Sequence, residues 1–256
     1  LTSKQHHMIS LNKLYFNKSI FISLLAGITL SLFSCQTEDE PDDNDNNDQN
    51  NDVIIEALSD GNFENWTTQV EGEVSFEVPE SGWWTSLNML ATVGSPLTMT
   101  KSEDAHSGNY AVQLETVAWG DQLTIPGIIA SGYFDTNQPI AENLMLGRPY
   151  SGTPTMLTGY YKYFSAEQDT LVIYTSLTKF NTETNQRDTI AEANFTSDQT
   201  VDTYTKFELF YDYYITDQQP DTINVLFLTS ISGQEFLGHV GSRMLIDDIE
   251  IVSAND

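Results

Sequence analysis

The chain has 256 residues, with 37 Asp and Glu against 10 Lys and Arg and a formal net charge of −27 at pH 7. A surface this acidic repels nucleic acid, whose binding depends on neutralised phosphates, and suits a neutral or cationic partner or divalent cations. The single cysteine, Cys35, can make no internal disulfide, and no later stretch is long and apolar enough to span a bilayer.

Residues 1–34 read as a lipoprotein signal peptide, with 1–7 as an upstream extension. Met8 opens a run containing Lys13 and Lys18, an apolar core follows from Ile20 to Leu32, and the run ends Leu32-Phe33-Ser34-Cys35. A basic start, an apolar stretch of secretory length and small residues before the cut carry that meaning. About 13 apolar residues fall short of the roughly 20 that a spanning helix needs. Cys35 stands where the lipobox of bacterial lipoproteins puts the lipidated residue. A lipid anchor at Cys35 is therefore expected, holding the protein to the outer membrane and facing the cell exterior.

Residues 35–52 follow as the lipidated cysteine and an acidic tether, Gln36–Asp52. Low hydrophobicity and like charge keep such a segment extended and disordered. The acidic run after the cysteine resembles the surface-export signal of bacterial lipoproteins. A calcium loop beginning at Asp43 has Asp45 and Asn47 in place. It fails at its sixth position, Asp48 where Gly is needed, and at its twelfth, Ile54 where Glu is needed.

From Val53 onward the chain reads as one all-β domain, residues 53–256. Tyr110–Thr116 sets Tyr110, Val112 and Leu114 on one face. Leu171–Leu177 aligns Leu171, Ile173 and Leu177, Tyr204–Tyr213 aligns Phe207, Leu209, Tyr211 and Tyr213, and Ile223–Thr229 aligns Ile223, Val225 and Phe227. Such alternation marks strands with one buried face. Ser-Gly and Pro-Gly pairs at 107–108, 126–127, 151–152 and 232–233 punctuate them. Gly241–Ile251 closes the series, with Leu245, Asp247, Ile249 and Ile251 on one face. Asp247 is then a carboxylate aimed at the core and requires a dedicated partner. Gly72–Leu97 and Val117–Pro154 lack regular alternation and are expected as long loops. Regularly spaced strands of this kind build a two-sheet antiparallel β-sandwich of jelly-roll type.

Three pieces taken in order, Asp60–Trp66 (DGNFENW), Asp104–Val112 (DAHSGNYAV) and Leu245–Ile249 (LIDDI), resemble the opening, early and last strands of jelly-roll carbohydrate-binding modules. A narrower likeness rests on Ile125–Phe134 (IPGIIASGYF), Gly147–Phe164 (GRPYSGTPTMLTGYYKYF) and Leu226–Ile251. These stretches resemble the bacterial family labelled putative carbohydrate metabolism domain, found on surface lipoproteins. The resemblance implies a jelly-roll β-sandwich and, more loosely, a carbohydrate ligand, because a fold does not fix a function.

Related jelly-roll modules hold a structural calcium where the opening segment, the Ser-Gly turn and the final strand converge. By motif the resemblance carries that site to Glu64, Asp104 and Asp247, hard oxygen ligands of the kind Ca2+ takes. The competing reading has Asp247 capping nearby backbone amides and the other two acids in solvent. Sugar contact is the second candidate. Trp83, Trp84, Trp119 and Tyr150 lie in the irregular segments, and Arg148 stands beside Tyr150 to bond hydroxyls. Neighbouring strand residues face opposite ways, so Trp83 and Trp84 cannot both enter one core. Core packing is the alternative for each aromatic, and it is the assignment for Tyr161 and Tyr163.

No catalytic residue stands out. Glycoside hydrolysis needs two carboxylates about 5–9 Å apart, and Glu115 and Asp121, flanking Trp119, are the nearest approach to such a pair. His106 and His239 sit in turn-like contexts without a recognisable Ser partner, and no GxSxG, phosphate loop or HExxH occurs. The expected function is a surface-anchored, non-catalytic module that binds a polysaccharide or oligosaccharide. The alternatives are a carbohydrate-active hydrolase with an unrecognised carboxylate pair and a structural or adhesive module that binds protein.

Overall fold

The structure, a computed structural model, describes residues 53–121, 123–135, 144–235 and 237–254. The leader, Cys35 and the acidic tether lie outside the described residues. The chain divides into two compact units, Asn51–Tyr133 with Met145–Asp256, and Leu1–Asn50 with Phe134–Leu144. The β-sandwich is built on the first.

In chain order the strands begin β1 (Val53–Ala57), β2 (Trp66–Glu71), β3 (Val74–Pro79), β4 (Trp84–Ser86), β5 (Met99–Ser102) and β6 (Ala111–Glu115). Then come β7 (Val117–Trp119), β8 (Leu123–Ile125), β9 (Ile128–Phe134), β10 (Leu144–Leu146), β11 (Arg148–Pro149) and β12 (Met156–Phe164). The last are β13 (Leu171–Asn181), β14 (Gln186–Ser197), β15 (Val201–Phe210), β16 (Asp212–Tyr213), β17 (Thr222–Leu228) and β18 (Arg243–Ala254). Two short 3-10 helices, Leu87–Val93 and Ile231–Glu235, interrupt them.

A six-stranded sheet runs β15-β12-β18-β6-β5, with β1 also paired to β18. An eight-stranded sheet runs β10-β9-β17-β13-β14-β16, with β11 on β17 and β4 on β9. The ribbons β2-β3 and β7-β8 stand apart. This is the all-β jelly-roll sandwich that the alternation calls for. Between the sheets lie Val112 and Leu114 of β6, Tyr161 and Tyr163 of β12, Leu171, Ile173 and Leu177 of β13, and Ile223, Val225 and Phe227 of β17. Burial of each such side chain stabilises the fold by roughly 1.5–3 kcal/mol.

The last strand departs from the expected phase. Met244 and Ile246 enter the core together with Ile249 and Ile251, while Leu245 is buried outside that cluster. A β-bulge explains the change of parity. On β18 the step from Asp247 to Glu250 faces only Tyr160 to Thr158 on β12, so one residue is extra. Asp248 absorbs it with φ of 50°, in the left-handed region. Asp247 therefore does not share a face with Ile249. Nor does β18 close the sheet at its rim: β12 flanks one side, and β6 and β1 share the other.

Tyr204–Tyr213 is likewise two strands. Phe207 and Leu209 belong to β15, paired with β12, whereas Tyr213 belongs to β16, paired with β14 in the other sheet. Tyr211 lies at the crossing, its hydroxyl 2.6 Å from Thr175 Oγ1 on β13. The two segments expected as long loops contain seven strands, β3, β4 and β7–β11. Their cores do not alternate. In β9, Ile128, Ile129 and Ala130 are all buried, because this strand is covered on both faces.

Candidate functional site

The opening segment, the Ser-Gly turn and the final strand do converge. Leu58 N–H donates to the Ile249 carbonyl at 3.3 Å, and Ile249 N–H donates to Gly61 at 2.8 Å. Asp247, fully buried, accepts through Oδ2 from the N–H groups of His106 at 2.8 Å and Ser107 at 3.2 Å. Its Oδ1 accepts from Asp248 N–H at 2.9 Å. Glu64 takes the other end of the same turn, with Oε1 accepting from Asn109 and Tyr110 N–H, both at 2.8 Å. The Asn109 side-chain amide donates to Glu64 Oε2 at 3.0 Å. Gly108, with φ of 63°, lets the turn press against the Glu64 carboxylate, where a Cβ would collide.

The two carboxyls are shifted in opposite directions. Burial pushes the Asp247 carboxyl up to about 6, with Asp248 beside it adding and the N–H donors opposing. Burial also acts on Glu64, but the donors of Tyr110 and Asn109 prevail and hold its carboxyl below the ordinary value. Asp104 is not part of this cage. Both its oxygens accept from the Lys162 ammonium, at 2.7 and 2.8 Å, and its carbonyl accepts from Tyr204 Oη at 2.6 Å.

Ca2+ requires six to eight oxygen ligands, whereas these carboxylates face N–H groups and an ammonium. Among the described residues no three His, Cys, Asp or Glu side chains are grouped to hold a metal. Glu64 and Asp247 cap backbone amides while Asp104 pairs with Lys162, so the three do not converge as calcium ligands in this arrangement.

Of the candidate sugar-binding residues, the structure brings Trp83 and Arg148 together. Arg148 Nε donates to the Trp83 carbonyl at 2.9 Å, and its Nη2 donates to the carbonyls of Gly82 and Gly132. The guanidinium lies 5.6 Å from the centre of the Tyr133 ring, and burial lowers its pKa. Three of its five N–H donors go to backbone carbonyls, so Arg148 positions the corner. Tyr133 is 48% exposed and was not evident in the sequence, because it ends a strand read as loop. Trp83 is half-buried and meets Trp84 edge-on at 4.8 Å.

Trp84 itself is core. It is 5% exposed, packs on Phe63 and Phe227, and donates its indole N–H to the Ser59 carbonyl at 3.1 Å. Trp83, which precedes β4, also packs against the core from its half-buried position, so the two rings lie together and do not face opposite ways, and Trp84 is unavailable to a ligand.

The chain's relatives agree with this architecture. The family model described as "Putative carbohydrate metabolism domain" matches residues 48–252. The chain belongs to that family. No curated protein matches the chain. Among solved structures, one titled a putative glycoside hydrolase from Bacteroides vulgatus is similar at a TM-score of 0.62 and 21% identity. The match covers 79% of this chain and 98% of that one. Another so titled, from Bacteroides thetaiotaomicron, gives 0.60 and 20% over 79% of this chain and 71% of that one. At such identities the likeness is one of fold.

The remaining candidates of this carbohydrate metabolism domain lie apart from the Trp83 corner. Tyr150 is half-buried against the core, with Glu56 among the charges near its hydroxyl, and its N–H donates to Asp221. Gly152 sits on its ring, where a Cβ would meet Tyr150 Oη at 2.8 Å. Trp119 is half-buried on the β7-β8 ribbon opposite Leu123, and among the described residues no aromatic ring packs on it. Glu115 lies in β6 opposite Arg243, and Asp121 sits at the turn of the ribbon.

His106 is held over the outer side of the six-stranded sheet. Its ring stacks on Tyr160 at 3.5 Å, and Nδ1 lies 2.6 Å from Asp248 Oδ2. His239 instead lies 3.2 Å from Glu167. Sequence reasoning also passed over Asp169, a buried carboxylate that accepts from Thr170 N–H, Ser230 Oγ, His239 N–H and Ser242 Oγ. Its partners stand up to 73 positions away, so no local pattern announces it.

Proposed function

We propose that the domain is a non-catalytic glycan-binding module, displayed at the cell surface by a lipid anchor at Cys35. The observation that carries the binding reading is the corner in which Arg148 holds the carbonyls of Gly82, Trp83 and Gly132 and lies over the Tyr133 ring. Partly exposed rings on an immobile frame offer C–H-packing faces to a pyranose at little entropic cost. Membership of a carbohydrate-related family supports the same ligand class.

A glycan array probed with the purified protein tests the reading. Retention of a glycan by the wild type, weakened at least about tenfold by Trp83→Ala or Tyr133→Ala, is the expected result; no retained glycan ends the proposal. Attachment at Cys35 is tested by palmitate labelling in a bacterial host, where label that persists in Cys35→Ser excludes the anchor.

The second reading is a carbohydrate-active hydrolase. It is favoured by the two similar structures, each described as a putative glycoside hydrolase. Release of reducing ends from any glycan that the array retains would establish it.

A further inference from the structure

Strand β15 forms one rim of the six-stranded sheet. It pairs with β12 on one side, and among the described residues no strand pairs with the other. Phe207 and Leu209 enter the core, so Lys206, Glu208 and Phe210 stand on the outer face. Tyr204 shares that face, with its ring edge-on to His106 and beneath the Lys162 ammonium. The rim is open. Thr205, Lys206 and Glu208 are exposed, and Phe210 is 66% exposed, a large apolar ring in solvent at a sheet edge.

Hydrogen bonds to the β12 side show which backbone groups are free. The Phe207 carbonyl accepts from Thr158 Oγ1 at 2.8 Å, and Tyr211 N–H donates to the Thr155 carbonyl at 3.0 Å. Residues of a strand turn their backbone groups alternately to one neighbour and the other, so Thr205, Phe207 and Leu209 face β12. Lys206, Glu208 and Phe210 then aim their N–H and C=O groups out of the sheet. The register with β12 shifts between Thr205 and Val201, so the regular free edge is Thr205–Phe210.

Such an edge is a template for another strand unless charge, proline or a covering element protects it. Thr205–Phe210 (TKFELF) contains no proline, and Glu208 neutralises its one lysine at 2.6 Å. The side chains suit a second copy of the same strand. Homodimers are most often twofold, and a twofold axis normal to the sheet sets β15 antiparallel to itself. Facing residues must both turn their backbone groups to the partner or both turn them away, so even-numbered positions meet only even-numbered ones.

Few registers satisfy that rule. Centring the pair on Lys206 opposes two ammonium groups, and centring it on Glu208 opposes two carboxylates. A centre at Thr205 puts Glu208 opposite Asp202. A centre at Phe207 sets Lys206 opposite Glu208 of the second copy, twice by symmetry, and brings Phe210 beside the second copy's Tyr204. Opposite charges and aromatic pairs directly across strands stabilise pairing, and like charges oppose it. We propose that β15 is a self-complementary edge through which two copies of the chain join their six-stranded sheets, in the register centred on Phe207. The chain's net acidity opposes self-association, but at physiological ionic strength that repulsion is screened beyond about 8 Å, while pairs in contact are retained. The inference is independent of the glycan-binding reading.

Sedimentation velocity of the purified protein at physiological ionic strength, over a wide range of concentration, tests it. Lys206→Glu makes both outward charges of the edge negative, and Glu208→Lys makes both positive. The wild type is expected to show a monomer–dimer equilibrium that each variant alone weakens at least about tenfold. An equal mixture of the two variants should regain it, because their edges complement each other in this register. Thermal melts confirm that each variant is folded. Should either melt early, hydrogen exchange of the wild type decides: the amides of Lys206 and Glu208 become protected as concentration rises. A wild type that stays monomeric overturns the proposal. So do dimers that both variants retain, and dimers in which those two amides exchange freely. Failure of the folded variants to associate when mixed overturns the register.

Discussion

Asp247 Oδ2 accepts the backbone N–H of His106 at 2.8 Å across 141 positions of sequence, while Glu64 holds Asn109 and Tyr110 of the same turn. The beginning of the domain, its Ser-Gly turn and its last strand are thereby joined at one place. The carboxylates act there as acceptors for orphaned amides, a structural duty.

Asp247 gives this clasp a pH signature. Its carboxyl is raised from 3.8 to about 6 in the folded protein, so folding binds its proton more tightly than the unfolded chain does. The stabilising contribution is full below 3.8 and is lost as pH rises through about 6. Asp247→Asn cannot titrate. Urea unfolding of both proteins between pH 4 and 7 is expected to show the advantage of wild type over the variant shrinking as pH rises, by roughly 3 kcal/mol in all. A constant difference across that range would contradict the assignment.

Calcium is expected to leave the clasp untouched. Differential scanning calorimetry after chelation, with and without added calcium, should give the same melting temperature. A clear rise with calcium would show that Glu64, Asp104 and Asp247 rearrange into an oxygen shell.

Arg148 is expected to matter more for rigidity than for contact. Arg148→Ala frees the carbonyls of Gly82, Trp83 and Gly132 and should cost about 2–3 kcal/mol in denaturant unfolding. Tyr133→Ala, removing an exposed ring, should cost under about 1 kcal/mol. Equal losses for the two would argue against the positioning role.

Gly61 tests the junction of the opening segment with β18. A Cβ there would strike the Ile249 carbonyl oxygen, so Gly61→Ala should destabilise by about 1–3 kcal/mol or more. Gly72→Ala meets open space, and only its φ of 63° resists a side chain. Its cost should be about 1–2 kcal/mol. A melting temperature unchanged in Gly61→Ala would show that the segment is not seated on Ile249.

Alternation within one strand was enough to assign β6, β13 and β17 and the side chains they bury, because a two-residue period is a local property. It failed where parity is changed by something not local. The extra residue at Asp248 moves Met244 and Ile246 into the core in place of Leu245, since a one-residue shift exchanges the faces of everything beyond it. Tyr204–Tyr213 kept its period through a change of sheet, so the crossing at Tyr211 left no mark. Strand β9 was missed for the opposite reason: both of its faces are covered, and an unbroken apolar run does not distinguish strand from loop.

The sequence by itself determined the all-β class, the acidic character, the family and the likeness of its three ordered motifs to a jelly roll. Composition, period and motif are written along the chain. Which tryptophan is core, what Arg148 holds and what Asp247 faces were decided only by tertiary structure. These depend on contacts between segments up to 141 positions apart, as for Asp247 and His106, and such contacts are set by the packing of the whole sandwich.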